Sequence, residues 1–177
     1  MRMFKLPRVW VFLILACLTA SAAWAATATQ LFIVNVPVRV IIKAPPLDQI
    51  KGHPGNGGVD VTFAPQTWWA AGNSTRGVNV ILETVTAFRH TTTPSSRRNA
   101  RLDLTATKIK GRGTWTVNTA TATTDHRNGN ENARVRASSN GTGEANLFLT
   151  VTFITNGSGG LQEGDYTMTV LGTVTEN

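Results

Sequence analysis

Cysteine is almost absent from this chain of 177 residues, since Cys17 is the single one. Cys17 lies in an N-terminal apolar segment that we expect to be removed, so the remaining protein would hold no thiol. A cysteine nucleophile, a disulfide framework and a cysteine-ligated zinc site are therefore excluded for the mature protein.

Charged residues are also few, at 15% of the chain, and helical patterning is missing. No segment after residue 26 keeps the three- and four-residue apolar spacing of an amphipathic helix. Threonine and valine are common instead, and threonine forms runs in residues 91–93 and 119–124. Both residue types are β-branched and fit a pleated strand better than a helix. The composition therefore predicts an all-β protein.

The first 25 residues have the layout of a secretory signal. Three basic residues precede an apolar run, and the segment ends in the small-residue pattern Ala23-Trp24-Ala25. We predict cleavage after Ala25 and export of residues 26–177, to the periplasm, the cell surface or the medium. The apolar run is too short for a membrane span, because a transmembrane helix needs about 20 apolar residues.

An alternative is processing at Cys17. The tetrad Ile14-Leu15-Ala16-Cys17 resembles a bacterial lipoprotein cleavage box, and lipid chains on Cys17 would tether the protein to a membrane. A free amine on Ala26 in mass spectrometry of the mature N-terminus would exclude lipidation.

The charge of the exported part is modest. The signal holds three of the 17 lysines and arginines and none of the ten acids, which leaves residues 26–177 with a net charge of +4. This balance permits an acidic partner without requiring one. Export argues against nucleic acid as that partner.

Apolar and polar residues alternate along most of the exported chain. In residues 31–42 every even position is apolar, and similar alternation occurs in residues 59–63, 78–83, 101–107, 115–117, 133–137, 147–153 and 166–175. Turn-forming residues separate these stretches, and residues 64–77, which include Trp68 and Trp69, are interpreted as a connection. We predict about eight or nine antiparallel strands that form one β-sandwich domain over residues 26–177, with a closed barrel as the alternative.

The C-terminal sequence LQEGDYTMTVLGTVTEN places Leu161, Gly164 and Tyr166 in an L-x-x-G-x-Y arrangement before an alternating strand. This resembles the tyrosine corner of immunoglobulin-like sandwiches. It is also similar to secreted bacterial fimbrial subunits and spore-coat-U-like proteins. The resemblance implies an immunoglobulin-like or pilin-like sandwich and a structural subunit that assembles outside the cell, often by donating a strand. Those subunits commonly carry a disulfide, which the mature chain cannot form.

Two groups of residues are candidates for ligand binding. Trp68 and Trp69 could form a stacking platform for a sugar, although buried aromatics more often fill a core, as we expect for Trp115. The segment from residue 97 to 112 could form a basic hairpin for phosphates or acidic polysaccharide, through Arg97, Arg98, Lys108 and Lys110. In that hairpin Lys108 and Lys110 would share a face. The alternative is an edge hairpin whose lysines discourage aggregation between sheets.

No local pattern indicates catalysis, a metal or a cofactor. The chain has no H-x-x-x-H, G-x-S-x-G or phosphate-loop motif, and the turn at residues 125–131 offers too few carboxylates for calcium. We therefore predict a non-enzymatic surface, fimbrial or matrix-type protein that self-assembles or binds a cell-surface partner. An extracellular carbohydrate- or anion-binding module is the alternative, and a hydrolase whose site assembles only in space ranks third.

Overall fold

The computed structural model describes residues 29–55, 58–155 and 161–177; the predicted signal, with Cys17, lies outside these ranges. Residues 1–36 and residues 37–177 form two separate units. All the strands of the described chain lie in the second unit, together with one short 3-10 turn, His126–Asn128. The prediction of an all-β protein is confirmed.

Twelve strands occur in the described residues. They are β1 (Val40–Lys43), β2 (Val61–Thr62), β3 (Gln66–Gly72), β4 (Val78–Thr84), β5 (Phe88–His90), β6 (Arg97–Gly111), β7 (Trp115–Thr119), β8 (Thr121–Thr123), β9 (Arg134–Ser139), β10 (Gly143–Ile154), β11 (Tyr166–Thr167) and β12 (Val170–Glu176). Every pairing between them is antiparallel, as predicted.

The strands form two sheets. The larger sheet has the order β1-β3-β10-β6-β5-β11, with β2 beside the far end of β10 and β8 beside the middle of β6, and it is curled. The smaller sheet has the order β12-β4-β9-β7. The long strands β6 and β10 pair over almost their whole lengths and form the centre of the larger sheet.

The main hydrophobic core draws side chains from both sheets. The larger sheet contributes Trp68, Leu102, Leu104, Leu147 and Leu149, and the smaller contributes Val80, Leu82, Val135 and Ala137. Strand β4 shows the underlying pattern, because its alternate residues are fully buried and the residues between them are not. A second cluster, around Phe88 and Phe153, lies at the end of the larger sheet where β2, β5 and β11 join.

The predicted strand over residues 31–42 is wrong for most of its length, because residues 29–39 are not in a strand. Pro37 has no N–H to donate to a ladder. The Asn73 side chain accepts from the Arg39 N–H at 2.6 Å and donates to the Pro37 carbonyl at 2.9 Å, in place of regular pairing. The strand therefore begins only at Val40.

The interpretation of residues 64–77 as a connection is also wrong, because β3 lies there, between β1 and β10. The alternation that marks other strands is missing here. Trp68 and Ala70 point into the core, and Trp69 and Ala71 occupy the opposite face. With apolar residues on both faces, the strand has no period-two signature.

Two further predictions need correction. The segment from Arg97 to Gly111 is a single long strand in the middle of the larger sheet, where we predicted a hairpin. The predicted strand over residues 166–175 is interrupted after Thr167, since β11 pairs with β5 in the larger sheet and β12 pairs with β4 in the smaller. The chain changes sheets at this break, which a continuous alternation cannot reveal.

Candidate functional site

The first described residues form an exposed apolar segment. Leu31, Phe32, Ile33 and Val34 are 81%, 80%, 80% and 84% exposed. Residues 31–38 contain five β-branched or aromatic residues, a composition typical of strands. A contiguous exposed apolar stretch of this kind marks an interaction site.

Strand β12 forms one edge of the smaller sheet and is regular along its length. The backbone bonds Asn177 N–H to Gly77 O and Val85 N–H to Thr169 O fix the register, so the odd-numbered residues of β12 bond to β4. The N–H and C=O groups of the even-numbered residues, such as Val170 and Val174, therefore point away from the sheet.

The core is incompletely covered along β12. The inward side chains Val170 and Val174 are only half-buried, whereas Val80 and Leu82 on the neighbouring strand β4 are fully buried. On the outer face, Leu171 is 50% exposed. One more strand beside β12 would therefore bury apolar surface that is now in contact with water.

The other edge strands are short or protected. Strand β7 is irregular between Val117 and Thr119, and such a bulge twists an edge away from a partner. Strand β2 has two residues, and its Thr62 carbonyl accepts a hydrogen bond from Lys51 Nζ at 2.6 Å. Strand β1 has four residues and β11 has two. Within the described chain, β12 is thus the longest regular edge without a protective lysine, proline or bulge.

An aromatic cleft of about 670 Å³ lies at the end of the larger sheet. Phe153 is at its centre, with ring centroids 5.0 Å from Phe88, 5.4 Å from Tyr166 and 6.0 Å from His53. The cleft is mostly apolar, and residues on either side of Gly52 and Gly164 border it.

The residues of the predicted tyrosine corner meet a buried histidine. The Tyr166 hydroxyl lies 2.9 Å from Ser96 Oγ, so its bond is to a distant side chain. Gly164 has a φ of +130°, and a Cβ there would collide with the His90 ring. His90 Nδ1 accepts the Thr93 N–H at 3.1 Å, which leaves Nε2 to donate to the Glu163 carbonyl at 2.8 Å. Gly164 and Tyr166 therefore hold the C-terminal segment against β5.

The tryptophans predicted as a pair are separated by the sheet. Trp68 is 8% exposed and belongs to the core, and Trp115 is half-buried and packs against that core. Trp69 points to the outer face of the larger sheet, where Lys43 Nζ lies 5.1 Å from its ring centroid. Neighbouring residues of a strand face opposite sides, so only one of the two indoles is available to a ligand.

Trp69 lies in a shallow pocket of about 370 Å³. Ile41, Ala71 and Gly143 contribute to its surface, and Arg39, Lys110 and Glu144 add charge. Lys110 Nζ lies 3.1 Å from Glu144 Oε1.

The four predicted cations do not form one group. Lys110 shares the pocket with Trp69, whereas Arg97 and Arg98 are at the opposite end of β6, about 40 Å away along the strand. Arg97 pairs with Glu131, which also accepts from Arg89. Lys108 pairs in register with the core residue Ala145, and Lys110 pairs with Glu144 beyond a bulge. The two lysines thus point to opposite faces, contrary to the prediction of a shared one.

His126 occupies the turn beside this arginine-rich end of β6. Its backbone N–H and its Nδ1 both lie within 3.0 Å of Asn99 Oδ1. Burial lowers the pKa of His126 below its usual value, and the nearby charges of Arg127 and Arg98 lower it further.

Sequence reasoning missed Lys43, Asn146 and Phe148, which share the outer face with Trp69. Phe148 carried a signal, because it is a large apolar residue at a polar position of the alternating segment 147–153. The position of Lys43 depends on its pairing with Trp69, which only the register of β1 and β3 defines.

Groups of metal-ligating side chains are absent from the described ranges, 29–55, 58–155 and 161–177. Those ranges also contain no helix of the length and apolarity needed to cross a bilayer. Comparison of the chain with protein-family models and with curated proteins gives no match.

Proposed function

We propose that this protein is a non-enzymatic, exported structural subunit whose copies join by strand addition. Residues 31–38 of one copy form a strand along the free edge of β12 in the next copy. The observation that carries this proposal is the exposure of four consecutive large apolar residues, Leu31 to Val34. Edge pairing of this kind is a known mode of recognition, in which main-chain hydrogen bonds give affinity and alternate side chains give specificity.

The lengths of the two partners match. Residues 31–38 span about 26 Å when extended, and the seven residues of β12 span about 23 Å. Every even position of the segment is apolar, so that Phe32, Val34 and Val36 would face the half-buried side of β12. Burial of each such side chain contributes about 1.5–3 kcal/mol before the entropy of ordering is subtracted.

The proposed contact joins two different surfaces. A segment donated by one copy and an edge offered by the next make a head-to-tail interface, which extends into open chains unless the geometry closes a ring. Such chains are suited to a surface, fimbrial or matrix structure outside the cell.

We also infer the type of fold, which is a β-sandwich of the immunoglobulin-like or pilin-like kind. Two features support it: a core cluster that includes both sheets, and a chain that changes sheets between β11 and β12. The resemblance of the C-terminal segment to fimbrial and spore-coat-U-like subunits agrees with this inference.

The first test places a charge in the donated segment. Val34→Asp puts a carboxylate on the face that would be buried against β12, so we expect self-association to weaken at least tenfold. Asn35→Asp is the matched control, because the same carboxylate at the next position would face solvent. Sedimentation of the purified protein over a range of concentrations measures both effects.

Two results would contradict the proposal. One is a wild-type protein that stays monomeric at high concentration. The other is an equal loss of association in Val34→Asp and Asn35→Asp, which would show that added charge, and not burial of one face, is responsible.

A further inference from the structure

We propose that the outer face of the larger sheet around Trp69 binds an acidic polysaccharide. A sugar ring stacks on the indole, and its carboxylate lies among Lys43, Arg39 and Lys110. This site is separate from the proposed assembly contact, which uses the edge of the smaller sheet.

The aromatic part of the site lies across three paired strands. Trp69 of β3 is in register with Lys43 of β1 on one side and Asn146 of β10 on the other. Phe148 is two residues beyond Asn146, on the same face and diagonal to Trp69. Two aromatic side chains and an amide on one face of the sheet suit the apolar faces and hydroxyl groups of a sugar chain.

A small side chain gives the site its depth. Ala71 lies on the same face as Trp69 and leaves a depression beside it, and the volume of this depression, about 370 Å³, lies within the range of small-ligand sites. The longer side chains of Arg39 and Lys110 border the same depression. A ring stacked on Trp69 would therefore lie against a side wall that carries charge.

The charge of the site favours an acidic sugar over a neutral one. Three cations surround Trp69, and Glu144 is the one acid among the described residues that line the pocket. Glu144 is already paired with Lys110, at 3.1 Å. Lys43 lies over the indole at 5.1 Å, where a carboxylate on a stacked ring would meet it.

The test uses affinity electrophoresis of the purified protein in gels that contain polygalacturonate, with neutral dextran as the comparison polymer. We expect retardation by polygalacturonate and none by dextran. Trp69→Ala should weaken binding at least tenfold, while Trp69→Phe, which keeps an aromatic face, should retain most of it. Lys43→Gln should weaken binding and reduce its dependence on salt.

Arg134→Gln is the matched control for Lys110→Gln. Arg134 is an exposed cation of the smaller sheet and pairs with Glu83 at 2.6 Å, much as Lys110 pairs with Glu144. The proposal predicts that only the change at Lys110 weakens binding. Equal losses in these two variants would show attraction to net charge alone and would overturn it.

Equal retardation by dextran, no retardation by either polymer, or full binding by Trp69→Ala would each overturn the proposal. If Trp69→Ala does not fold, the comparison of Trp69→Phe with Lys43→Gln decides in the same way. If Lys43→Gln loses binding to polygalacturonate while Trp69→Phe retains it, the proposed site is supported. If Lys43→Gln binds as strongly as the wild type, the proposal is overturned.

Discussion

At the residue scale, Gly172 of β12 packs so closely against Trp68 that the position leaves no room for a side chain. A Cβ at this position would overlap the edge of the buried indole and the end of Ile42. Because Trp68 is held in the core, it cannot move away freely.

We therefore predict that Gly172→Val lowers the free energy of unfolding by about 1–3 kcal/mol, the usual effect of overpacking. Thr173→Val, one residue further on the exposed face, should change it by less than about 0.5 kcal/mol. Denaturant titration of the two variants measures the difference. Equal midpoints would show that Trp68 does not pack against β12 as described.

His126 should make stability depend on pH. Its pKa in the folded protein is below the ordinary value of 6.5, chiefly because of burial, with Arg127 and Arg98 adding to the effect. The unfolded chain therefore binds a proton more readily at this site. The free energy of unfolding falls as the pH drops below 6.5 and levels off once the folded protein is also protonated.

His126→Gln should remove this contribution. Chemical denaturation of both proteins between about pH 8 and about pH 5 measures the loss, which should be smaller in the variant. An identical loss in the two proteins would contradict the assignment of the effect to His126.

For the two adjacent tryptophans, the direction of each side chain could not be predicted from the sequence. The sequence indicates that aromatic residues are available, but the direction of each side chain depends on whether the backbone is extended. Once β3 is known to be a strand, Trp68 and Trp69 must face opposite sides. The lysine beside Trp69 comes from β1, so it could be found only from tertiary pairing.

At the scale of elements, β12 differs from the other edge strands in having no protection. A lysine on the inward side of this edge should act as inward-pointing charges do in natural sheets and oppose the addition of another strand, which would bury it. We predict that Val174→Lys weakens self-association at least tenfold. Val117→Lys on β7, the opposite edge of the same sheet, also replaces a half-buried valine and should leave self-association unchanged.

Light scattering at matched concentrations compares these two variants. If Val117→Lys weakens association as strongly as Val174→Lys, the acceptor edge is not β12 and the proposed contact is wrong. If neither does, strand addition at the smaller sheet is excluded.

Whether a strand could be predicted from the sequence depended on its length and on the difference in burial between its two faces. Strands β4, β9 and β10 were predicted, because each has one buried apolar face and one less buried face over six or more residues. Strands β5 and β8 have three residues each, too few for a period of two to be recognised. Residues 31–38 alternate like a strand but have no strand partner in the described chain. Alternation in a sequence indicates that a segment tends to pair, but it does not identify the partner strand.

At the scale of the whole molecule, the two sheets rely on the hydrophobic core for stability. Residues 26–177 contain no cysteine, so no disulfide can hold the two sheets together. The sequence predicted this architecture at the level of fold class, since one-sided apolar strands need a covering layer. It did not predict the curl of the larger sheet or the aromatic cleft, which depend on contacts between β2, β5 and β11 and residues far away in sequence.

The absence of cysteine after residue 26 permits the most direct test of the proposed assembly. Cysteines introduced together at Asn35 and Thr173, which would both lie on the outer face of the proposed contact, should form disulfides between copies under mild oxidation, and a non-reducing gel should show a ladder of multimers. Each single variant should give dimers at most, and the pair Asn35→Cys with Thr116→Cys on β7 should give no ladder. A monomeric product from the first pair, or an equal ladder from the second, would contradict the account.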